Sequence, residues 1–240
     1  MGIYKSLFKQ TAIYGLATVL PRMFSFILVP LYTNPAVLNV QEYGEVSVIF
    51  SWMVLFNVIL AYGMETAFFR FYNSDNDKKS VIGTATVSIF WTTMIFLIGS
   101  LLFRNKIAHI THIEVEYITY TIWILVLDAI VVIPFSKLRV QQKPVFYAVL
   151  KIINVAINLG LNIFFLLILP RLSQELPDTF ISTLYVEDFQ VGYIFLSNVI
   201  ASLFVFLVLS PDYFRVRWTF DFSIHGPSFI VNLFIYSVSG

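Results

Sequence analysis

The sequence predicts an all-α, polytopic membrane protein, and three observations carry that prediction. Of its 240 residues, 58% are hydrophobic and 12% charged. Mean hydropathy is +0.82. Six long apolar stretches, each bounded by clustered charge or a Pro-containing polar loop, account for most of the chain. A soluble domain of this length must show water far more polar surface, so the solvent here is the bilayer.

A spanning helix needs about 20 mostly apolar residues, because its backbone polar groups must be satisfied within the segment. Six segments qualify: Thr11 to Thr33, Tyr43 to Phe69, Gly83 to Phe103, Tyr117 to Ser136, Tyr147 to Leu169 and Gln190 to Leu209. The first is too long and too polar for a cleaved signal peptide and has no small-residue cleavage site after it, so it is expected to be retained. Residues 1–210 then form a six-helix transmembrane unit, 211–228 a cytoplasmic linker, and 229–240 the start of a truncated seventh helix. That last apolar run begins near Phe229 and reaches the terminus at Gly240, so an incomplete protein is expected.

Orientation follows from where the Lys and Arg residues fall. Lys5, Lys9, Arg70, Lys78, Lys79, Lys137, Arg139, Lys143, Lys151, Arg215 and Arg217 lie at one set of alternate ends. The opposite loops hold Arg104, Lys106 and Arg171, together with Glu175, Asp178, Glu187 and Asp188. Cytoplasmic loops carry the excess of basic residues, so the N-terminus and the basic end are expected in the cytoplasm. Tyr32, Tyr43, Tyr117, Tyr147 and Tyr213 fall near proposed helix ends, where a ring with a polar tip suits the headgroup region. The chain has no Cys, which excludes disulfides and thiol chemistry within it.

Polar side chains in lipid are tolerated chiefly where they face other helices or a hydrated cavity, so a polar stripe at helical spacing marks an interior face. In the first segment Thr11, Gly15, Thr18, Arg22 and Ser25 form such a stripe, beside two helix-bending prolines, Pro21 and Pro30. In the fifth, Lys151, Asn154, Asn158 and Asn162 share an arc of roughly 80°. That stripe is expected to line a cavity; the plainer alternative is interhelical hydrogen bonding. Asp128 lies near the middle of the fourth segment, about 14 Å from its end at Lys137, and Arg22 is at similar depth. The two either share one cavity as a compensating pair, or Asp128 keeps its proton in an apolar site. Glu65, one to two turns inside the second segment, is a further candidate for coupling or charge compensation; its plainer reading is an interfacial carboxylate. Thr84, Ser88 and Thr92 in the third segment, and Asn198 and Ser202 in the sixth, repeat at spacings where side chains usually bond their own backbone or a neighbour.

His109 and His112 stand three apart in an expected outer loop with Glu114 and Glu116, a spacing that can place two ligands on one face. No third or fourth ligand follows at a fixed spacing, so no metal site is expected. There is no glycine-rich phosphate loop, nucleophile elbow or metalloprotease helix. No enzymatic role, catalytic residue, cofactor or nucleic-acid partner is expected.

Three runs, GLATVLPRMFSFILVPLYT from Gly15, QEYGEVSVIFSW from Gln41 and AYGMETAFFRFY from Ala61, resemble the N-terminal part of bacterial polysaccharide flippases. These are the O-antigen and capsule exporters of the MviN/Wzx type, in the MOP superfamily that also holds the lipid II flippase and MATE exporters. Members of this family have two lobes, so the resemblance implies that six spans make one complete N-terminal lobe. RWTFDFS, from Arg217, resembles the linker to the second; after Ser223 the match fails.

The resemblance implies alternating access around a central cationic cavity in the inner membrane. Its substrate would be an undecaprenyl-diphosphate-linked oligosaccharide, with polysaccharide polymerase or assembly proteins as further partners. Arg22 matches the family's first-helix arginine, and a guanidinium in a hydrated cavity suits a diphosphate. Lys151, Asn154, Asn158 and Asn162 are the other candidate substrate contacts. Two other readings stay open: a MATE-like ion-coupled drug or metabolite antiporter, for which Asp128 is the candidate coupling carboxylate, and a non-transporting membrane scaffold.

Overall fold

The structure, a computed structural model, describes residues 26–74, 77–175 and 179–214, together with positions 13, 15, 19 and 23. Every regular element among these is helical. Five spans are long and apolar enough to cross a membrane: Val40–Ser74, Lys78–Thr111, Val115–Val140, Pro144–Glu175 and Gln190–Pro211. Of the expected first span, helix α1, the continuous described helix is 26–32. Arg22 and the expected seventh helix lie outside the described residues.

α2 (Val40–Ala61) begins where Asn39 accepts a hydrogen bond from the Glu42 N–H at 2.9 Å and Glu42 accepts one from the Asn39 N–H at 2.7 Å. This reciprocal capping satisfies two of the donors that a helix start leaves open. The expected continuous second span is broken. Tyr62 and Gly63 both take left-handed backbone, φ 30° and 69°, before α3 (Met64–Ser74) restarts. Glycine adopts that region freely, whereas Tyr62 does so at a cost. The Tyr62 hydroxyl is held 2.9 Å from Ser88 Oγ on α4 (Lys78–Thr111).

The fourth span is also two helices, α5 (Val115–Ile130) and α6 (Val132–Val140). Pro134 has no N–H to give the Ile130 carbonyl, which accounts for a break here. In the fifth span, α7 (Pro144–Ile163) passes through a π-helical stretch, Phe164–Ile168, into α8 (Leu169–Glu175). Pro170 likewise leaves the Leu166 carbonyl without its usual donor, and a widened turn is a common response. α9 (Gln190–Phe214) runs through Pro211, so the first residues of the expected linker are helical. The Ser210 hydroxyl donates at 2.8 Å to the Leu207 carbonyl that Pro211 cannot serve.

α5 is the central helix: Ile124, Leu125 and Val126 are each 2% exposed. Leu125 and Ile124 pack with Ile49 and Met53 of α2 and with Ile194 and Phe195 of α9. The outer surface is apolar too. On α4, Trp91, Ile95, Ile98 and Leu102 recur at steps of four, three and four and are 60%, 69%, 59% and 76% exposed. A stripe like this suits acyl chains and would be unfavourable in water. At the less basic end, Tyr193 pins the 179–189 loop: its hydroxyl donates to the Leu184 carbonyl and accepts from the Val186 N–H, both at 2.7 Å. His109 lies in the last turn of α4 and not in a loop, and His112 caps that helix in left-handed backbone, φ 55°. Among the described residues no group of three or more His, Cys, Asp or Glu side chains gathers.

Candidate functional site

A cavity of ≈ 360 Å³ opens between α2, α3, α5, α6, α7 and α9 toward the basic end. Each neighbouring helix supplies a polar group. α2 and α3 give Asn57 and Glu65, α5 gives Asp128, α6 gives Ser136 and Arg139, α7 gives Lys151 and Asn154, and α9 gives Asn198 and Ser202. Polar groups that converge inside a bundle with an apolar exterior mark a hydrated or ligand-binding interior.

At the mouth, Arg139 forms an ion pair with Glu65. The two side chains are 40% and 44% exposed, so the pair is a modest stabiliser on its own. Its guanidinium also lies 5.2 Å from the centre of the Phe69 ring and 5.9 Å from that of Tyr147, which fixes its orientation. Sequence reasoning counted Arg139 only toward orientation. The break before α6 turns it to the cavity instead.

Deeper in, the Lys151 ammonium sits 4.4 Å from the centre of the Phe135 ring. Phe135 in turn stands edge-on to Tyr147, centroids 5.4 Å apart. Asp128 accepts a hydrogen bond from Ser202 at 2.9 Å. Lys151 and Asp128 attract one another across the cavity, while Arg139 repels Lys151. The neighbours the structure gives Asp128 are Ser202 and, in the same cavity, Lys151; Arg22, the partner considered from the sequence, lies outside the described residues. Ser202, expected to bond its own backbone or a neighbour, takes the neighbour and reaches across to α5.

The α7 stripe does not line a single cavity, which corrects the expectation drawn from its spacing. Lys151 and Asn154 face the cavity at the basic end. Asn158 faces a second one of ≈ 390 Å³ bounded by α1, α2 and α9, and Asn198 borders both. Asn162 is fully buried. It accepts from the Tyr32 hydroxyl at 2.8 Å and donates to the Asn158 carbonyl at 2.8 Å. The reason is length: residues 151–162 rise about 16 Å, more than one such cavity extends along the helix. Asn162 is thus the interhelical glue of the plainer alternative.

Comparison of the chain with protein-family models, with curated proteins and with solved structures finds no match.

Proposed function

We propose that the chain is the N-terminal lobe of a flippase that moves an undecaprenyl-diphosphate-linked oligosaccharide across the bacterial inner membrane, for O-antigen, capsule or exopolysaccharide synthesis. In this reading six spans make the lobe, the five described and the Thr11 to Thr33 segment. The N-terminus and the basic end are cytoplasmic. The observation that carries it is a polar cavity, open at the basic end, inside a bundle whose outer surface is apolar. Such a site suits a substrate whose charged head must cross while its hydrocarbon stays in the bilayer.

Lys151, held over Phe135, is the first cation a diphosphate meets beyond the mouth, and the Asn154 and Asn57 amides stand in the same wall to donate hydrogen bonds. Arg139 exchanges Glu65 for phosphate as the head enters, because a guanidinium pairs with either through the same planar fork. Arg22, on the strength of the resemblance, adds a further positive charge. Polymerase or assembly proteins remain the expected partners.

Asp128 favours a second reading, an ion-coupled antiporter of the MATE kind, because it places a carboxylate in the cavity beside Lys151. The two readings differ in what the cavity must hold. Native mass spectrometry of the purified chain in nanodiscs, with undecaprenyl diphosphate and undecaprenol as competing ligands, separates them. Saturable binding of the diphosphate is expected, weakened about ten-fold or more by Lys151→Met through loss of a charged hydrogen bond. Equal binding of undecaprenol, or no effect of Lys151→Met, refutes the flippase reading.

A further inference from the structure

The second cavity, of ≈ 390 Å³, is built differently from the first: none of its described lining residues is charged. α2 contributes two aromatic rings, Tyr43 and Phe50, while α7 and α9 contribute one amide each, Asn158 and Asn198. Phe50 leans on Phe195, ring centroids 5.4 Å apart, which holds its ring in the wall.

Each amide has one half spent inside the bundle and one half left over. The Asn158 side-chain oxygen accepts from the Asn162 amide at 3.1 Å, and the Asn158 carbonyl accepts from the same group at 2.8 Å. The two hydrogens on Asn158 Nδ2 have no acceptor among the described residues. Asn198 is the reverse: its Nδ2 donates to the Ile194 carbonyl at 3.0 Å, and its Oδ1 accepts from no described residue. The hydroxyls in the same wall are already committed, Tyr32 to Asn162 and Ser47 to the Tyr43 carbonyl, both at 2.8 Å. An unspent donor and an unspent acceptor thus border one space that also has aromatic walls.

That inventory selects among occupants. A phosphate or an ammonium would enter without a counter-charge, and an acyl chain would strand both amides. A hydroxyl donates and accepts, so neighbouring hydroxyls on one ring satisfy Asn158 and Asn198 together. The C–H face of such a ring presents positive hydrogens to the negative faces of aromatic side chains. We propose that this cavity is a sugar site that holds one pyranose ring, with its hydroxyls on Asn158 Nδ2 and Asn198 Oδ1 and its C–H face toward the α2 aromatics. It rests on the flippase reading only for the source of the sugar, the glycan carried on the diphosphate. Asn158 lies seven residues beyond Lys151 along α7, about 10 Å deeper, so the sugar sits apart from the cation that meets the diphosphate. Asn198, which borders both cavities, joins the two positions.

Ser47 lines the cavity and the chain has no Cys, so Ser47→Cys makes a single reporter. The full chain carrying it is reconstituted in nanodiscs and alkylated with N-ethylmaleimide. The probes are methyl glucoside, methyl galactoside and the methyl glycoside of N-acetylglucosamine. At least one should slow alkylation saturably. Tetrahydropyran-2-methanol, which has the ring without its ring hydroxyls, should not. Asn158→Leu and Asn198→Leu, each in the reporter chain, should raise the half-protecting concentration about five-fold, the effect of losing one neutral hydrogen bond. The rate without sugar, read in each variant, shows that the cavity is still formed; because the variants lie on different helices, a misfolded one leaves the other to decide.

Protection by none of the three glycosides overturns the proposal and leaves water as the occupant. Equal protection by tetrahydropyran-2-methanol, or protection that survives both substitutions, also overturns it. So does a thiol that never reacts, since a cavity closed to the reagent admits no sugar. The glycosides carry no phosphate, which separates this result from diphosphate binding. Protection in a chain that fails to bind undecaprenyl diphosphate would keep the sugar site and remove the flippase reading, whereas diphosphate binding without protection would remove the sugar site alone.

Discussion

Replacing Tyr32 by Phe removes one oxygen and tests the most buried polar contact between the first span and α7. The Tyr32 hydroxyl donates to Asn162 Oδ1 at 2.8 Å; the two residues are 8% and 0% exposed. A neutral hydrogen bond contributes about 0.5–1.5 kcal/mol net. Interhelical bonds within membranes average about 0.6 kcal/mol and reach about 1.7, because the separated helices find other partners. Complete burial puts this one near the top of that range, since water cannot take over the oxygen left behind. Tyr32→Phe should therefore cost about 1.5 kcal/mol. Asn162→Leu, close in volume, strands the tyrosine hydroxyl and also removes the bond to the Asn158 carbonyl, for a cost of about 2 kcal/mol.

The double variant should cost about as much as Asn162→Leu alone, giving a coupling energy above about 1 kcal/mol. The assay is reversible unfolding of the purified chain in mixed dodecylmaltoside and dodecyl sulfate micelles, followed by far-ultraviolet circular dichroism. Additivity of the single variants within about 0.3 kcal/mol would mean that the two groups do not interact, and would refute this account of how the first span docks.

Two further expectations follow from packing and charge. A methyl group at Gly192 would overlap the Phe189 ring, so Gly192→Ala should destabilise the chain by about 1–3 kcal/mol in the same unfolding assay, and Phe189→Ala should remove most of that increment. Because the chain has no Cys, single cysteines report topology directly. Lys143→Cys should react with a membrane-impermeant maleimide only after permeabilisation and Glu187→Cys should react in intact cells; the reverse pattern would invert the orientation.

What was legible in the sequence depended on whether a signal was local. Apolar run lengths located the five described spans, and the helical period put Lys151 and Asn154 on an interior face. The same period could not say that Asn158 and Asn162 would fall to different surroundings, because spacing around a helix gives direction and not the depth at which neighbouring helices part. Tyr62–Gly63 was a readable signal passed over: a glycine in the middle of a long span, after a tyrosine, sits where the chain takes two left-handed residues. Pro134 and Pro170 were equally visible and mark the other two discontinuities.

The contacts that define the cavity are of a different kind. Ser202 meets Asp128 across 74 positions and Tyr32 meets Asn162 across 130. No window of sequence contains both members of either pair. Arg139 illustrates the link between the two scales. As the end of one straight span it is an interfacial charge like Lys137 or Lys143, and its sequence neighbourhood supports no more than that. Once the break ahead of Pro134 makes α6 a separate helix, the same side chain lies against Phe69, Tyr147 and Glu65. A backbone interruption that costs one helical hydrogen bond thus converts a topological marker into part of the cavity mouth. For a chain of this kind, prolines and glycines inside apolar runs are therefore the first places to look for the charges that face inward.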